Sequence, residues 1–318
     1  MKSFLILMLS AVLLVGCASN GRIFSDKAAN AMKSQTHDEA IKFFDEGEKS
    51  IIHSHTFYES RGDIHFHYGY YGEAVNDYTR AVRNFSKVEY HLKRGRAYMK
   101  LHFYEDAIVD FSYVIDVKGS KYPVAYVERA RALVEKGDYK DAVRDLEKAK
   151  RRGADNVDFL VAMGELHYRM GKYDDAKTYI QKAILTDDKN SDLYYLRAKV
   201  FYKSKDANQT ISDLKTALSL DKTNTDAKRM LAWVYATNPL ETYRDGAKAV
   251  KMAKELYDVD QDVQYVEVLA ASYAEIGDFD KAIETLNEGI RLSTDLVQKE
   301  DFRFDIKNYE NKQNVRSW

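Results

Sequence analysis

The sequence predicts an all-α protein built as an array of helix-turn-helix hairpins, and three regularities carry that expectation. A small residue recurs at Gly62, Gly95, Ala130, Gly164, Ala198, Ala232 and Ala270, in steps of 33, 35, 34, 34, 34 and 38 residues. A second small or compact residue follows twelve positions later in six of the seven cases, at Ala74, Ala107, Ala142, Ala176, Thr210 and Ala282. Between the two lies a reversal, marked by Gly69, Gly137, Gly171 and Gly277, with an aromatic ring two residues on at Tyr71, Tyr139, Tyr173 and Phe279. Small residues at these positions let two amphipathic helices approach closely, and the glycine ends the first helix and turns the chain back. One such hairpin buries too little surface to stand alone, so it must stack on its neighbours.

The first residues read differently. Lys2 precedes an apolar run from Phe4 to Val15, too short for an ordinary spanning helix, and the run closes on Leu14-Val15-Gly16-Cys17. Residues 1–16 are therefore expected to be a signal peptide. Leu14 to Cys17 resembles the lipobox of bacterial lipoproteins, which implies cleavage before Cys17, a diacylglyceryl thioether on its sulfur and, with Ala18 following, sorting to the outer membrane. At roughly 0.8 kcal/mol per buried CH₂, two or three acyl chains would hold the protein at a bilayer. Cys17 is the only cysteine, so no intrachain disulfide can form. Residues 17–25 are small and polar enough for a lipidated tether.

From residue 26 the chain is periodic. Ala28, Ala40 and Phe44 keep the phase, so residues 26–54 are expected to form a degenerate repeat or N-terminal cap. Seven hairpins follow over residues 55–294. In the sixth, Ala232 and Ala249 stand 17 apart, which places an inserted loop around Thr237-Asn238-Pro239. The fifth carries Lys205 and Ala207 in place of the turn glycine and the aromatic ring, leaving its turn without the usual signal. Residues 295–318 are expected to supply a capping helix from about Asp295 to Asn308 and then a mobile tail.

This pattern resembles the tetratricopeptide repeat, a helix-turn-helix of about 34 residues. The resemblance covers nearly all of the chain after the tether, and it implies a right-handed superhelical solenoid whose concave face is lined by the first helix of each hairpin. Carried over repeat by repeat, that face includes Phe66, Arg96, Met99, Arg131, Tyr168, Tyr195, Lys199, Tyr202, Arg229 and Trp233. Leu92, Val127 and Val161 on the same helices fit packing equally well. Tyr195, Tyr202 and Trp233 stand out, because large residues with a polar end are favoured where proteins meet. The mixture of rings and charges suits a peptide or helix held in the groove. The asparagine-rich carboxylate clamp of chaperone-binding relatives is absent, since Lys93, Glu128 and Ala162 take the corresponding places.

One polar feature recurs inside the chain. Arg61 with Asp77, Arg94 with Asp110, Arg129 with Asp145 and Arg197 with Asp213 are each sixteen apart, and the other hairpins lack both partners. An ion pair within each of these four hairpins, structural in role, is the expectation.

Composition narrows the function. With 31% charged residues and a net charge of −1, no basic excess suggests a nucleic-acid surface. No phosphate loop, nucleophile elbow or His-Glu-x-x-His run is present. His53, His55, His65 and His67 cluster, but residues two apart on a helix point to different sides, which makes a metal-dependent enzyme the weakest reading. No cofactor is expected. The sequence thus points to a lipid-anchored scaffold or adaptor at the periplasmic face of the outer membrane that binds other proteins, or to a pilotin or assembly factor for a pilus or secretion complex.

Overall fold

The computed structural model describes residues 36–48, 54–118, 122–259 and 261–317, together with positions 30 and 33. The expected signal peptide and tether, Cys17, Ala28 and His53 lie outside the described residues. Every regular element among the described residues is helical. No helix among them is long and apolar enough to cross a membrane. The chain divides into two compact units, residues 1–162 and 163–318.

In the first unit, α1 (His37–Glu48) precedes three hairpins. These are α2 and α3 (His55–His67, Tyr71–Asn84), α4 and α5 (Val88–Lys100, Tyr104–Lys118), and α6 and α7 (Pro123–Lys136, Tyr139–Arg151). Successive helices pack on each other from α1 to α7. The small positions are the points of closest approach: a Cβ added at Gly95 would stand 2.6 Å from Cε1 of Phe111, and one at Gly62 would stand 2.8 Å from Cε1 of Tyr78. Ala74, Ala107, Ala130 and Ala142 are fully buried in equivalent places. At the start, α1 turns Ala40, Ile41 and Phe44 onto Phe57, Tyr58 and Ile64, so the first hairpin does not present an open apolar face.

Helix α8 (Val157–Arg169) carries the division between the units. The second unit continues with α9 (Tyr173–Thr186), α10 and α11 (Ser191–Lys203, Ala207–Leu220), α12 and α13 (Thr225–Thr237, Gly246–Val259), and α14 and α15 (Val263–Glu275, Phe279–Leu292). Helix α12 packs against α14 as well as α13, so the first helices of adjacent hairpins lie side by side. A last helix, α16 (Leu296–Glu310), buries Phe302 and Tyr309 against Val266, Leu286 and Ala282. It covers the end of the stack.

The fifth hairpin closes like the rest without a turn glycine. Gly137 takes φ 90° at the end of α6, and Lys205 reaches the same left-handed region at 62°, as does His102 at 61°. The hydrogen bonds match: Asp206 N donates to Phe201 O at 2.9 Å, as Asp138 N does to Leu133 O at 2.8 Å. In the sixth hairpin, residues 238–245 form the inserted loop and include a short 3-10 turn, Glu241–Tyr243. Arg244 pins this loop, donating through Nε to Glu275 at 2.8 Å and through Nη1 to Asn238 O at 3.0 Å.

The residues after α16 depart from the expected mobile tail. Ser317 N donates to Thr237 O at 3.0 Å, and Val315 packs on the cluster that holds Phe302 and Tyr309. An aperiodic stretch carries no pattern that would announce such docking, because its partners belong to helices far away in sequence.

In each of the four Arg/Asp hairpins the guanidinium donates twice to the carboxylate, Nε to Oδ2 and Nη2 to Oδ1, at 2.7–2.8 Å. The aspartates are buried, at 2–3% exposure. A third donor, Nη1, leaves the hairpin: Arg94 reaches Thr79 on α3, Arg129 reaches Ser112 on α5 and Arg197 reaches Gln181 on α9. Each of these three arginines thus closes its own hairpin and ties it to the helix before it.

Candidate functional site

The ten groove candidates fall into two groups. In the first unit, Phe66 packs beside Ala74, Tyr78 and Ala97 and meets Tyr71 edge-on at 5.3 Å. Arg96 donates to Glu128 at 2.7 Å, and Arg131 lies 3.9 Å from the same carboxylate while reaching Asp158 O at 3.1 Å. Lys93 bridges Glu59 and Asp63, each at 2.7 Å. Met99 is half-buried. On this face the cations are largely met by acids of the same unit.

The second unit brings together the aromatic group. Lys199 Nζ lies 5.5 Å from the ring centres of both Tyr168 and Tyr195, a cation shared between two π faces. Tyr195 and Tyr202 from α10, Arg229 and Trp233 from α12, and Glu267 and Val268 from α14 line a cavity of about 220 Å³. The lining positions repeat: Tyr195, Arg229 and Glu267 each stand three residues before the small residue of their hairpin. Burial, aided by the charge of Asp226, pushes the Tyr195 hydroxyl up to about 12. Burial also raises Glu267, reinforced by Asp305 and Asp301, so its charge is held at a cost. Arg229 bonds Asp226 at 3.2 Å, but its Nε–H is buried without a partner. The wall therefore offers rings, a cation and an acid at short range, the mixture that holds a peptide by buried anchors and fixes its direction by charge.

One end of this cavity is occupied by the chain itself. Trp233 Nε1 donates to Ser317 Oγ at 2.9 Å and lies 3.1 Å from Tyr202 Oη, which is itself 3.0 Å from Ser317 Oγ. Two of the three aromatic residues singled out from sequence are therefore in contact with the segment that follows α16.

The histidines do not converge. His55 bonds the Tyr90 hydroxyl at 2.7 Å, His65 bonds His37 at 2.9 Å, and the His67 ring meets Tyr68 edge-on. Among the described residues no group of three metal-ligating side chains is positioned to hold an ion.

Sequence reasoning omitted Glu267, Val268, Thr237 and the residues around Ser317. The first two were legible, since they occupy the register of Arg229 and Met230 one hairpin later; the longer step of 38 residues hides this from a fixed 34-residue count.

Tetratricopeptide repeat family models match residues 92–157, 133–200 and 264–295. No curated protein sequence matches the chain. Among solved structures, yeast Tom70 is similar with a TM-score of 0.65 and 16% identity, over 87% of this chain and 59% of its own, so the chain spans well under two thirds of that protein. A tetratricopeptide repeat protein from Parabacteroides merdae has a TM-score of 0.55 at 13% identity, covering 92% of this chain and all of its own. Pseudomonas aeruginosa pilF has a TM-score of 0.53 at 17% identity, covering 69% of this chain and 97% of its own. At such identities the likeness concerns the fold alone. Three family matches, a recurring hairpin and a stack of paired helices agree: the chain is a tetratricopeptide repeat protein.

Proposed function

We propose that the protein is a non-enzymatic scaffold, anchored by lipid at Cys17 to the periplasmic face of the outer membrane, that holds partner proteins on the first-helix faces of its hairpins. The observation that carries the binding role is the cavity between α10, α12 and α14, where Tyr195, Trp233 and Arg229 leave about 220 Å³ open beside an acid whose charge is disfavoured. Such a site suits a peptide inserted edge-on between rings. Support for the anchor is the sequence Leu14-Val15-Gly16-Cys17 behind a short apolar run.

Two measurements test this reading. A photocrosslinking residue at position 195, installed in cells, should trap specific proteins identifiable by mass spectrometry; if the same residue traps nothing above background while the chain is folded and membrane-bound, the binding role fails. Metabolic labelling with an alkyne fatty acid should mark the unaltered chain and leave Cys17→Ser unmarked, with the variant lost from the membrane fraction. A part in pilus or secretion assembly is a narrower form of the same role. It predicts a mislocalised secretin when the protein is removed, whereas a scaffold for envelope enzymes predicts altered enzyme activity with the secretin in place.

A further inference from the structure

The segment after α16 shows, through the bonds it makes, what the covered part of the groove binds. The proton directions can be assigned. Thr237 donates its hydroxyl hydrogen to Trp233 O at 2.8 Å, so its oxygen accepts from Ser317 Oγ at 3.1 Å. With its own proton so used, Ser317 Oγ accepts from the Trp233 indole at 2.9 Å and from the Tyr202 hydroxyl at 3.0 Å. The Ser317 amide donates to Thr237 O at 3.0 Å. One residue earlier, Arg316 Nη2 lies 2.9 Å from Glu275, the carboxylate that also receives Arg244. With its amide oriented to satisfy its neighbours, Asn314 donates to Ala274 O and accepts from Arg316 Nη2, both at 3.1 Å. The groove thus reads a segment outside the helices with a base followed by a small hydroxyl residue.

We infer that Asn314–Ser317 is a displaceable plug, and that the partner displacing it is a protein presenting a non-helical segment in which Arg or Lys is followed by Ser or Thr. This rests on the protein-binding reading of the same face. The plug is held by polar contacts and one apolar anchor, Val315, whereas α16 is fastened through Phe302 and Tyr309, so release can stop at the end of the helix. The plug occupies only the part of the groove near the C-terminal ends of α10, α12 and α14. From Tyr202 to Tyr195 the open cavity extends seven residues along α10, about 10 Å at the helical rise, past Arg229 and Glu267. A partner that fills both parts makes contacts the plug cannot reach, and that difference drives exchange.

The test uses a fluorescein-labelled peptide of residues 311–318, NKQNVRSW, and the full chain with and without Arg316→Glu and Ser317→Pro. These changes turn the Glu275 contact repulsive and delete the amide that bonds Thr237, yet touch nothing in the groove wall. The released chain is expected to bind the peptide at least about tenfold more tightly, because a plugged site lowers apparent affinity by the fraction that is open. Trp233→Phe in the released chain should remove most of that gain. Arg316→Glu alone serves if the double variant melts early. In the unaltered chain, excess peptide should speed hydrogen exchange at the Ser317 amide. Equal affinity for released and unaltered chains, both folded, overturns the inference, and so does a dimer of the unaltered chain that dissociates on release, since the segment would then belong to a second copy. If affinities are equal but crosslinks from position 195 persist, only the plug is lost; if crosslinks are absent as well, the binding role falls with it.

Discussion

Removing one partner of the Arg129–Asp145 pair should cost far more than removing both. The pair is bidentate at 2.7 and 2.8 Å, and the Asp145 side chain is 4% exposed against 20% for Arg129. Arg129→Leu leaves Asp145 in a buried site with Lys148 at 3.9 Å as its remaining cation, and it also removes the 2.9 Å bond to Ser112. Stranding a buried charge costs about 3–5 kcal/mol, and a lost hydrogen bond about 1 kcal/mol more. Asp145→Leu should cost less, about 2–4 kcal/mol, because Arg129 keeps its bond to Ser112 and is open to water on one side. With both replaced by leucine, no charge is stranded and apolar volume fills the site, so the loss should fall to about 0–2 kcal/mol. Urea unfolding followed by far-ultraviolet circular dichroism measures all four proteins, with comparable slopes required before midpoints are compared. A double-variant loss equal to the sum of the single losses within about 0.5 kcal/mol would refute the coupling.

Other outcomes follow from single features. Gly95→Ala should destabilise by about 1–3 kcal/mol, since its methyl would meet the buried Phe111 ring at 2.6 Å; a neutral effect in the melt would mean the helices can separate freely. Lys205→Gly should stabilise by about 0.5–1 kcal/mol by relieving the left-handed backbone at φ 62°, and a loss instead would show that the lysine contributes more than its strain. Burial lowers the pKa values of His55, His65 and His167 from the usual 6.5, in His55 with help from Lys87 and in the other two against the pull of Asp77 and Asp175. The folded state then binds fewer protons than the unfolded chain just below that value. Stability is present above about pH 6.5 and declines as pH falls through the window beneath it, so the melting midpoint should drop between about pH 7.5 and 5. A flat profile over that range would contradict this assignment, and His65→Gln should reduce the slope.

What could be read from the sequence was whatever repeats. Gly62, Gly95 and Ala130 announce close helix approach because the same steric demand recurs every hairpin, and the Arg/Asp spacing of sixteen is visible because four copies share it. The division of the groove was harder to see. Arg96 and Arg131 look like candidates for binding a partner, yet their common neighbour is Glu128, 32 residues beyond Arg96, a separation that the repeat phase does not single out. The third donor of each linking arginine escaped for a related reason: its acceptors, Thr79, Ser112 and Gln181, share a place in space but not a residue type. The docking of Ser317 could not be read at all. Its contacts to Trp233 and Tyr202 span 84 and 115 residues and belong to no period. The groove aromatics were legible as rings suited to contact, but not as rings already engaged.

The backward reach of Arg94, Arg129 and Arg197 also bears on how the chain is made. In each case the donor belongs to the later hairpin and the acceptor to a helix synthesised earlier. A hairpin emerging from the ribosome therefore finds its docking partner already in existence, and it never has to wait for sequence still to be translated. Assembly can advance in one direction with the growing end as its front, so that little unpaired apolar surface need be exposed at any moment during synthesis.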